Sequence, residues 1–283
     1  MNIGISFIGL ALFIVTNVAC AQGIESVPVP NVNFDANFFE SGSQNKYGVI
    51  VLTGSGGGKA DYTAERIASM GYDVLSLAYF DRVGTSVVPE TLELIPLEYF
   101  DAPKKWLIER PGTRHDGVIL YGLSKGAELA LVLASFDDDY KAVVALAPSY
   151  VVWEGQGSQR GSSSPSSWSR NGQGLPFVPY ISREERDRLG FTNMHAASLT
   201  NEVAVENAQI GVERINGPIL LLSGGMDDAW PSSSMGDKIC TTVNSETESK
   251  CEHVTYEDGD HLLSRYQTES FAEVARFLNS VAP

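Results

Sequence analysis

Val118-Ile-Leu-Tyr-Gly-Leu-Ser-Lys-Gly-Ala-Glu-Leu-Ala-Leu131 decides how this chain is read. An apolar, β-branched run reads as a buried strand, and the residues from Ala127 onward have helical spacing. Between them stands Gly122-Leu-Ser-Lys-Gly126. A strand, a sharp turn and a helix are the setting of a nucleophile elbow, in which a strained turn pushes a serine hydroxyl beyond the sheet edge. Such a turn crowds the residues two places to either side, and glycine relieves that crowding. The pentapeptide alone occurs by chance, and a loop serine capping a helix is the plainer alternative. The flanking strand and helix favour Ser124 as a nucleophile, which then needs a base and an acid.

Working outward, Tyr47–Thr53 reads as a strand that feeds the glycine-rich Gly54-Ser-Gly-Gly-Gly58. Ala60–Met70 is helical, and Asp73–Tyr79 is the next strand. Pro89–Arg110 reads as a longer amphipathic segment whose buried side is Leu94, Leu97, Phe100 and Trp106. Past the elbow helix, Ala142–Ala147 is a strand, and then the rhythm breaks. From Pro148 to about Asn216 no regular alternation holds, and residues 155–175 are rich in Ser and Gly. One short helix is expected at Arg183–Leu189. A stretch of this length is either a substrate-facing lid or a plain surface insertion. Regular structure resumes with a strand at Pro218–Ser223, a polar helix, a strand at Cys251–Tyr256 and a closing helix at Glu269–Val281.

Alternating strands and helices predict an α/β class protein with a mainly parallel central sheet, helices on both faces and an insertion after the sixth strand. With a serine elbow, that is the α/β-hydrolase fold. Three regions are expected: a signal peptide over 1–21, a polar lead-in over 22–46 with at most one edge strand, and a catalytic domain over 47–283. The insertion of that domain covers about 149–216.

In such a sheet the order is nucleophile, acid, histidine. The chain has four histidines. His115 precedes the nucleophile strand, at the far end of the sheet; His195 lies in the excursion; His253 sits within a strand. His261 follows the last strand, at the edge where Ser124 emerges, and is the expected base. The acid should leave the preceding strand at that edge. Asp227 is the expected acid, with Asp228 as the alternative. An oxyanion hole needs two backbone N–H donors. One is expected from Lys125, at a helix N-terminus, and the other from Ser55 or Gly56. The glycine-rich loop lacks a P-loop's G-K-[ST] ending and the G-x-G-x-x-G spacing, which disfavours phosphate binding. The Lys125 side chain is expected to be a surface charge.

The first 23 residues carry no charged side chain. Their apolar run ends in Ala19-Cys20-Ala21, which resembles a secretory signal with an A-x-A cleavage site. An uncleaved anchor and lipid attachment at Cys20 are the alternatives. A secreted or periplasmic protein is therefore expected, with no stable membrane insertion once the signal is cleaved. Cys240 and Cys251 would remain, and in an oxidising compartment they are most simply a disulfide, otherwise two buried thiols. The net charge of −15 disfavours nucleic-acid partners. No metal-ligand spacing is present, and no cofactor is expected.

These residues resemble the C-terminal catalytic domain of the acyl-CoA thioesterase and bile acid-CoA:amino acid N-acyltransferase family. The likeness is carried by Leu77-Ala-Tyr-Phe80, Pro96-Leu-Glu-Tyr-Phe100, the elbow stretch, Ala147-Pro-Ser-Tyr-Val-Val-Trp153 and Ser223-Gly-Gly-Met-Asp-Asp-Ala-Trp230. It implies an α/β-hydrolase fold and an acyl-enzyme mechanism on Ser124, Asp227 and His261. Full-length members carry an N-terminal β-sandwich, for which the residues before position 47 are too few. Members that acylate amino acids use a cysteine nucleophile. Ser124 would form an oxygen ester instead, which suits hydrolysis. The expected substrate is thus a small-molecule acyl thioester or ester. The alternatives are an exported carboxylesterase or dienelactone-hydrolase-like enzyme on a non-CoA ester, an exopeptidase, and a non-catalytic binding module on the same fold.

Overall fold

The structure, a computed structural model, describes residues 24–30, 33–84, 87–157, 164–248 and 250–281. The expected signal segment lies outside the described residues. In chain order the elements are β1 (Ser26–Pro28), β2 (Asp35–Phe39), β3 (Lys46–Leu52), α1 (Asp61–Ala68), β4 (Val74–Ala78), β5 (Ile95–Pro96), α2 (Asp101–Ile108), β6 (Thr113–Leu123), α3 (Lys125–Ala134) and β7 (Tyr140–Leu146). The insertion holds β8 (Trp168–Arg170), β9 (Gln173–Gly174), α4 (Arg183–Leu189), α5 (Phe191–Ser198) and α6 (Glu202–Asn207). β10 (Ile219–Gly224), α7 (Ser232–Glu246), β11 (Cys251–Tyr256) and α8 (Gln267–Val281) complete the chain.

The central sheet runs β1-β2-β4-β3-β6-β7-β10-β11. β1 and β2 are antiparallel additions at one edge, and the remaining pairings are parallel. Side chains alternate across a strand, so each parallel strand supplies two cores. Ile50, Leu75, Leu120, Val143 and Leu221 enter the core beneath α3 and α7. Val49, Val74, Ile119, Val144 and Leu220 enter the opposite one, closed by Ala64 and Ile67 of α1 and by Phe271 and Phe277 of α8. This is the α/β-hydrolase architecture, and its carboxyl edge carries the loops after β3, β6, β7, β10 and β11.

The elbow is built by close approach. Ser124 has φ 55° and ψ −117°, and its N–H still bonds the Leu146 carbonyl at 2.9 Å. A Cβ on Gly122 would run into the Gly126 carbonyl, and one on Gly126 into the carbonyl oxygens of Leu52 and Thr53. Glycine at both places lets the start of α3 sit directly on the end of β3.

Three details differ from the sequence reading. The lead-in contributes two strands, β1 and β2, rather than one at most. The segment from Pro89 is not one regular element: β5 and a 3-10 turn at Leu97–Phe100 precede α2. Pro96 pushes Ile95 into extended backbone, which ends any helix there. Leu94 has φ 52° and is 43% exposed, so Leu92 takes the buried place expected of it. The insertion also has regular structure beyond α4, and its own small core contains Val151, Trp153, Val178 and Val205 with Trp230.

Cys240 on α7 and Cys251 at the start of β11 are joined in a disulfide across 11 positions. Cys240→Ala/Cys251→Ala is expected to lower unfolding stability by about 2–3 kcal/mol through lost loop-closure entropy. A lower urea midpoint for the variant is the measurement that checks this.

Candidate active site

Each group at the carboxyl edge is delivered by a strand end. The last residue pairs of the ladders, Leu52 with Gly122, Leu146 with Leu222 and Gly224 with Tyr256, align those ends. Ser124 stands between the end of β6 and the start of α3. His261 lies in the loop after β11, and Asp227 in the loop after β10. The two loops are tied by their backbones, with Gly225 N–H on the Tyr256 carbonyl at 2.8 Å and Met226 N–H on the Gly259 carbonyl at 3.0 Å.

The structure brings Ser124, His261 and Asp227 into one line. Ser124 Oγ lies 2.8 Å from His261 Nε2, and His261 Nδ1 lies 2.9 and 2.8 Å from the two oxygens of Asp227. A carboxylate on Nδ1 selects the tautomer with its proton there, leaving Nε2 free to accept from a hydroxyl. Asp227, with its side chain 2% exposed, also accepts from the N–H groups of Ala229 (2.9 Å) and Trp230 (3.2 Å) and from Ser232 Oγ (2.5 Å). Burial pushes its pKa up, but the hydrogen bond and charge of His261, with Ser232 and Ala229, bring it below its ordinary value. Asp228 is exposed and takes no part in this line.

Of the expected oxyanion donors, Lys125 adjoins Ser124 in the chain, and the loop that holds Ser55 and Gly56 leaves β3 at Gly54, which lies beside it. Lys125 starts α3; Ala127 and Glu128 spend their N–H groups on the Ser124 carbonyl. Gly54 is close enough that a Cβ there would lie 3.3 Å from Ser124 Cβ. The peptides that follow are held at their carbonyls, Gly54 by the Gly57 N–H (3.2 Å) and Ser55 by Arg82 Nε (2.9 Å). Because C=O and N–H are opposed in a trans peptide, this fixes where the N–H groups of Ser55 and Gly56 point.

The Lys125 side chain is a correction. It is not a surface charge but 1% exposed, paired with the fully buried Glu128 at 2.7 Å. α3 is buried along its whole length, so a lysine there has no route to water.

The insertion also brings His195 close to the site, a placement that no sequence spacing signals. It sits on α5 and meets the rings of Trp153, Tyr180 and Trp230 edge-on at 4.8, 5.3 and 5.5 Å. Trp230 in turn meets His261 edge-on at 5.6 Å. Burial pushes the His195 imidazole down to about 4, so it is neutral at pH 7. His115 is exposed, with Nδ1 2.6 Å from the Ile108 carbonyl oxygen.

His253 forms a second Ser-His-Asp line, with Ser223 Oγ at 2.6 Å and Asp237 Oδ1 at 2.8 Å. Ser223 is 0% exposed, so no substrate reaches it, and the line fastens α7 to β10 and β11. Among the described residues no group of three or more His, Cys, Asp or Glu is placed to hold a metal ion, and no helix is long and apolar enough to cross a membrane.

A family model described as BAAT / Acyl-CoA thioester hydrolase C terminal matches residues 95–279. Human mitochondrial acyl-coenzyme A thioesterase 2 is 29% identical over 222 residues, 76% of this chain and 42% of that protein. Mouse acyl-coenzyme A thioesterase 5 is 28% identical over 255 residues, 89% of this chain and 58% of that protein. The chain thus spans about half the length of the curated relatives it matches. Among solved structures, an esterase of Pyrococcus furiosus superposes with a TM-score of 0.63 at 16% identity, covering 92% of this chain and 91% of that one. The acylaminoacyl peptidase of Pyrococcus horikoshii gives 0.61 at 11% identity, covering 92% and 42%. At such identities the structural likeness carries the fold alone.

Asp227→Ala would strand the Ala229 and Trp230 amides and the Ser232 hydroxyl. It is expected to lower stability by about 1–3 kcal/mol at neutral pH. The pKa is lowered by folding, so the carboxylate stabilises the fold above its unfolded value of about 3.9, and this is lost as pH falls through the folded value. Urea unfolding at pH 7 and pH 3.5 should therefore show a smaller gap between wild type and variant in acid.

Proposed function

The chain belongs to the BAAT / acyl-CoA thioester hydrolase C-terminal family, and from that premise we propose that it is a serine-dependent hydrolase of acyl thioesters or esters. The observation that carries the reading is the unbroken line from Ser124 Oγ through His261 to Asp227.

In the proposed reaction Ser124 Oγ attacks the acyl carbonyl carbon while His261 Nε2 takes the hydroxyl proton. Asp227 stabilises the imidazolium and keeps its ring in place. The carbonyl oxygen becomes an anion and is met by the N–H groups of Lys125 and of Ser55 or Gly56. His261 then gives its proton to the departing thiolate or alkoxide, leaving an acyl-Ser124 ester. A water enters, loses a proton to His261 and attacks that ester, and the proton returns to Ser124 as the acid leaves. His195 remains neutral throughout, so it does not oppose the positive charge that forms on His261.

A second reading, an exported carboxylesterase or dienelactone-hydrolase-like enzyme on a non-CoA ester, is favoured by charge. Coenzyme A is an intracellular polyanion, and this chain carries −15. The charge-free first 23 residues and the Cys240–Cys251 disulfide support export to an oxidising compartment as part of that reading. N-terminal sequencing of exported protein should begin at Gln22.

Ser124→Ala should abolish both labelling by a fluorophosphonate and turnover. Asp227→Asn should lower kcat by about 10⁴-fold through the wrong tautomer, while Asp228→Asn keeps wild-type rates. A panel of acyl-CoAs, p-nitrophenyl esters and dipeptide amides separates the readings by kcat/KM. Collapse of Asp228→Asn with survival of Asp227→Asn would overturn the assignment of the acid.

A further inference from the structure

Lys125 and Glu128 are two charges on a helix that has no face to water. They are 1% and 0% exposed, and Lys125 Nζ donates to Glu128 Oε2 at 2.7 Å. The other oxygen of Glu128 accepts from the Trp153 backbone N–H at 3.0 Å and from Trp168 Nε1 at 2.7 Å. The Lys125 ammonium also stands 5.2 Å from the centroid of the Trp168 ring. Both tryptophans belong to the insertion. Burial draws the lysine pKa down and the glutamate pKa up, and their mutual attraction opposes both shifts.

A buried ion pair is a poor way to gain stability. Apolar side chains of similar volume serve as well or better, whereas removing one partner alone leaves an uncompensated charge. What this pair supplies is direction. Glu128 lies one helical turn from Ser124 and spends both oxygens, one on the residue after Ser124 and one on two separate points of the insertion. The first turn of α3 is thereby braced within itself and tied to the insertion at two points, and that turn contains the Lys125 amide.

We infer that the Lys125–Glu128 pair is a positioning device for the elbow, locking the Lys125 N–H in the orientation that receives the oxyanion and coupling it to the seating of the insertion through Trp153 and Trp168. The inference rests on Ser124 being the nucleophile. Lys125 and Glu128 act here through their side chains as positioning residues, not by touching substrate.

The test is Lys125→Met/Glu128→Gln, which removes both charges together while the carbonyl of the new amide side chain can still accept from both tryptophans. Wild type and variant are compared by thermal melting, by fluorophosphonate labelling and by p-nitrophenyl butyrate hydrolysis. The expected result is a melting temperature near that of wild type, with kcat lowered about 10- to 100-fold and KM little changed. That is less than the 10²–10³ that follows outright loss of an oxyanion donor. A purely structural pair predicts instead that kcat recovers with stability, and wild-type kcat in the folded double variant overturns the inference. If the double variant does not fold, Trp168→Phe decides on the same readout, because it removes the Nε1–H donor while leaving an aromatic ring in that place. There a fall in kcat at constant KM supports the coupling, and wild-type kcat overturns it. Failure of wild type to label at Ser124 overturns the serine reading itself. Labelled wild type with an undiminished variant overturns only the role of the pair.

Discussion

The backbone turn at Ser124 is the constraint on which the other arrangements depend. A serine at φ 55° is strained, and such strain persists only where the surroundings over-determine it. Here they do so on every side. The N–H of Ser124 remains bonded to β7, its carbonyl takes two amides of α3, and the glycines at 122 and 126 let β3 and α3 touch. Because β3 ends against the start of α3, the glycine-rich loop after β3 has no choice but to lie beside Ser124. The sheet register then delivers the loops after β10 and β11 to the same edge, so one turn fixes where four separate segments meet.

Much of that was legible because it is periodic or local. β-branched runs with short connections give the parallel strands, and the elbow glycines report a close approach that only Gly permits. The order of serine, acid and histidine follows from the fold, which is why Ser124, Asp227 and His261 could be named before they were seen together. The insertion was less legible, since its short helices and paired strands have no period long enough to read. Helical spacing carried through Pro96 puts Leu94 on the buried side, but Pro96 holds Ile95 extended and ends that spacing, so Leu92 is buried instead.

Lys125 shows a different kind of failure, and its signal was present. Ala127, Leu129, Ala130, Leu131, Val132, Leu133 and Ala134 make α3 apolar on every face, and a helix apolar all round is buried. A charge on such a helix must find a partner, and Glu128 stands three places on. The partners of Glu128 in the insertion, like the cluster of His195, Trp153, Tyr180 and Trp230, join residues far apart in sequence. No spacing rule reaches them. The Ser223–His253–Asp237 line makes the converse point: the same three residue types in the same geometry carry no chemistry when the serine sits inside a strand with no opening to a substrate.

The choice between a thioester and an oxygen ester turns on how the leaving group departs. A thiol has an ordinary pKa near 8.5, so a thiolate leaves with little help from an acid. An alkoxide is far more basic and needs a proton as the bond breaks. On the proposed mechanism that proton waits on His261, held by a carboxylate that is itself fixed by Ala229, Trp230 and Ser232. A relay so firmly seated meets the greater demand of the oxygen ester and the lesser demand of the thioester alike. On the proposed reading, discrimination falls to the approach to the site, where a polyanionic leaving group meets a protein of net charge −15. Arg82 bonds the Ser55 carbonyl and the Gln156 side chain there, so its cationic group serves the glycine-rich loop and the insertion first.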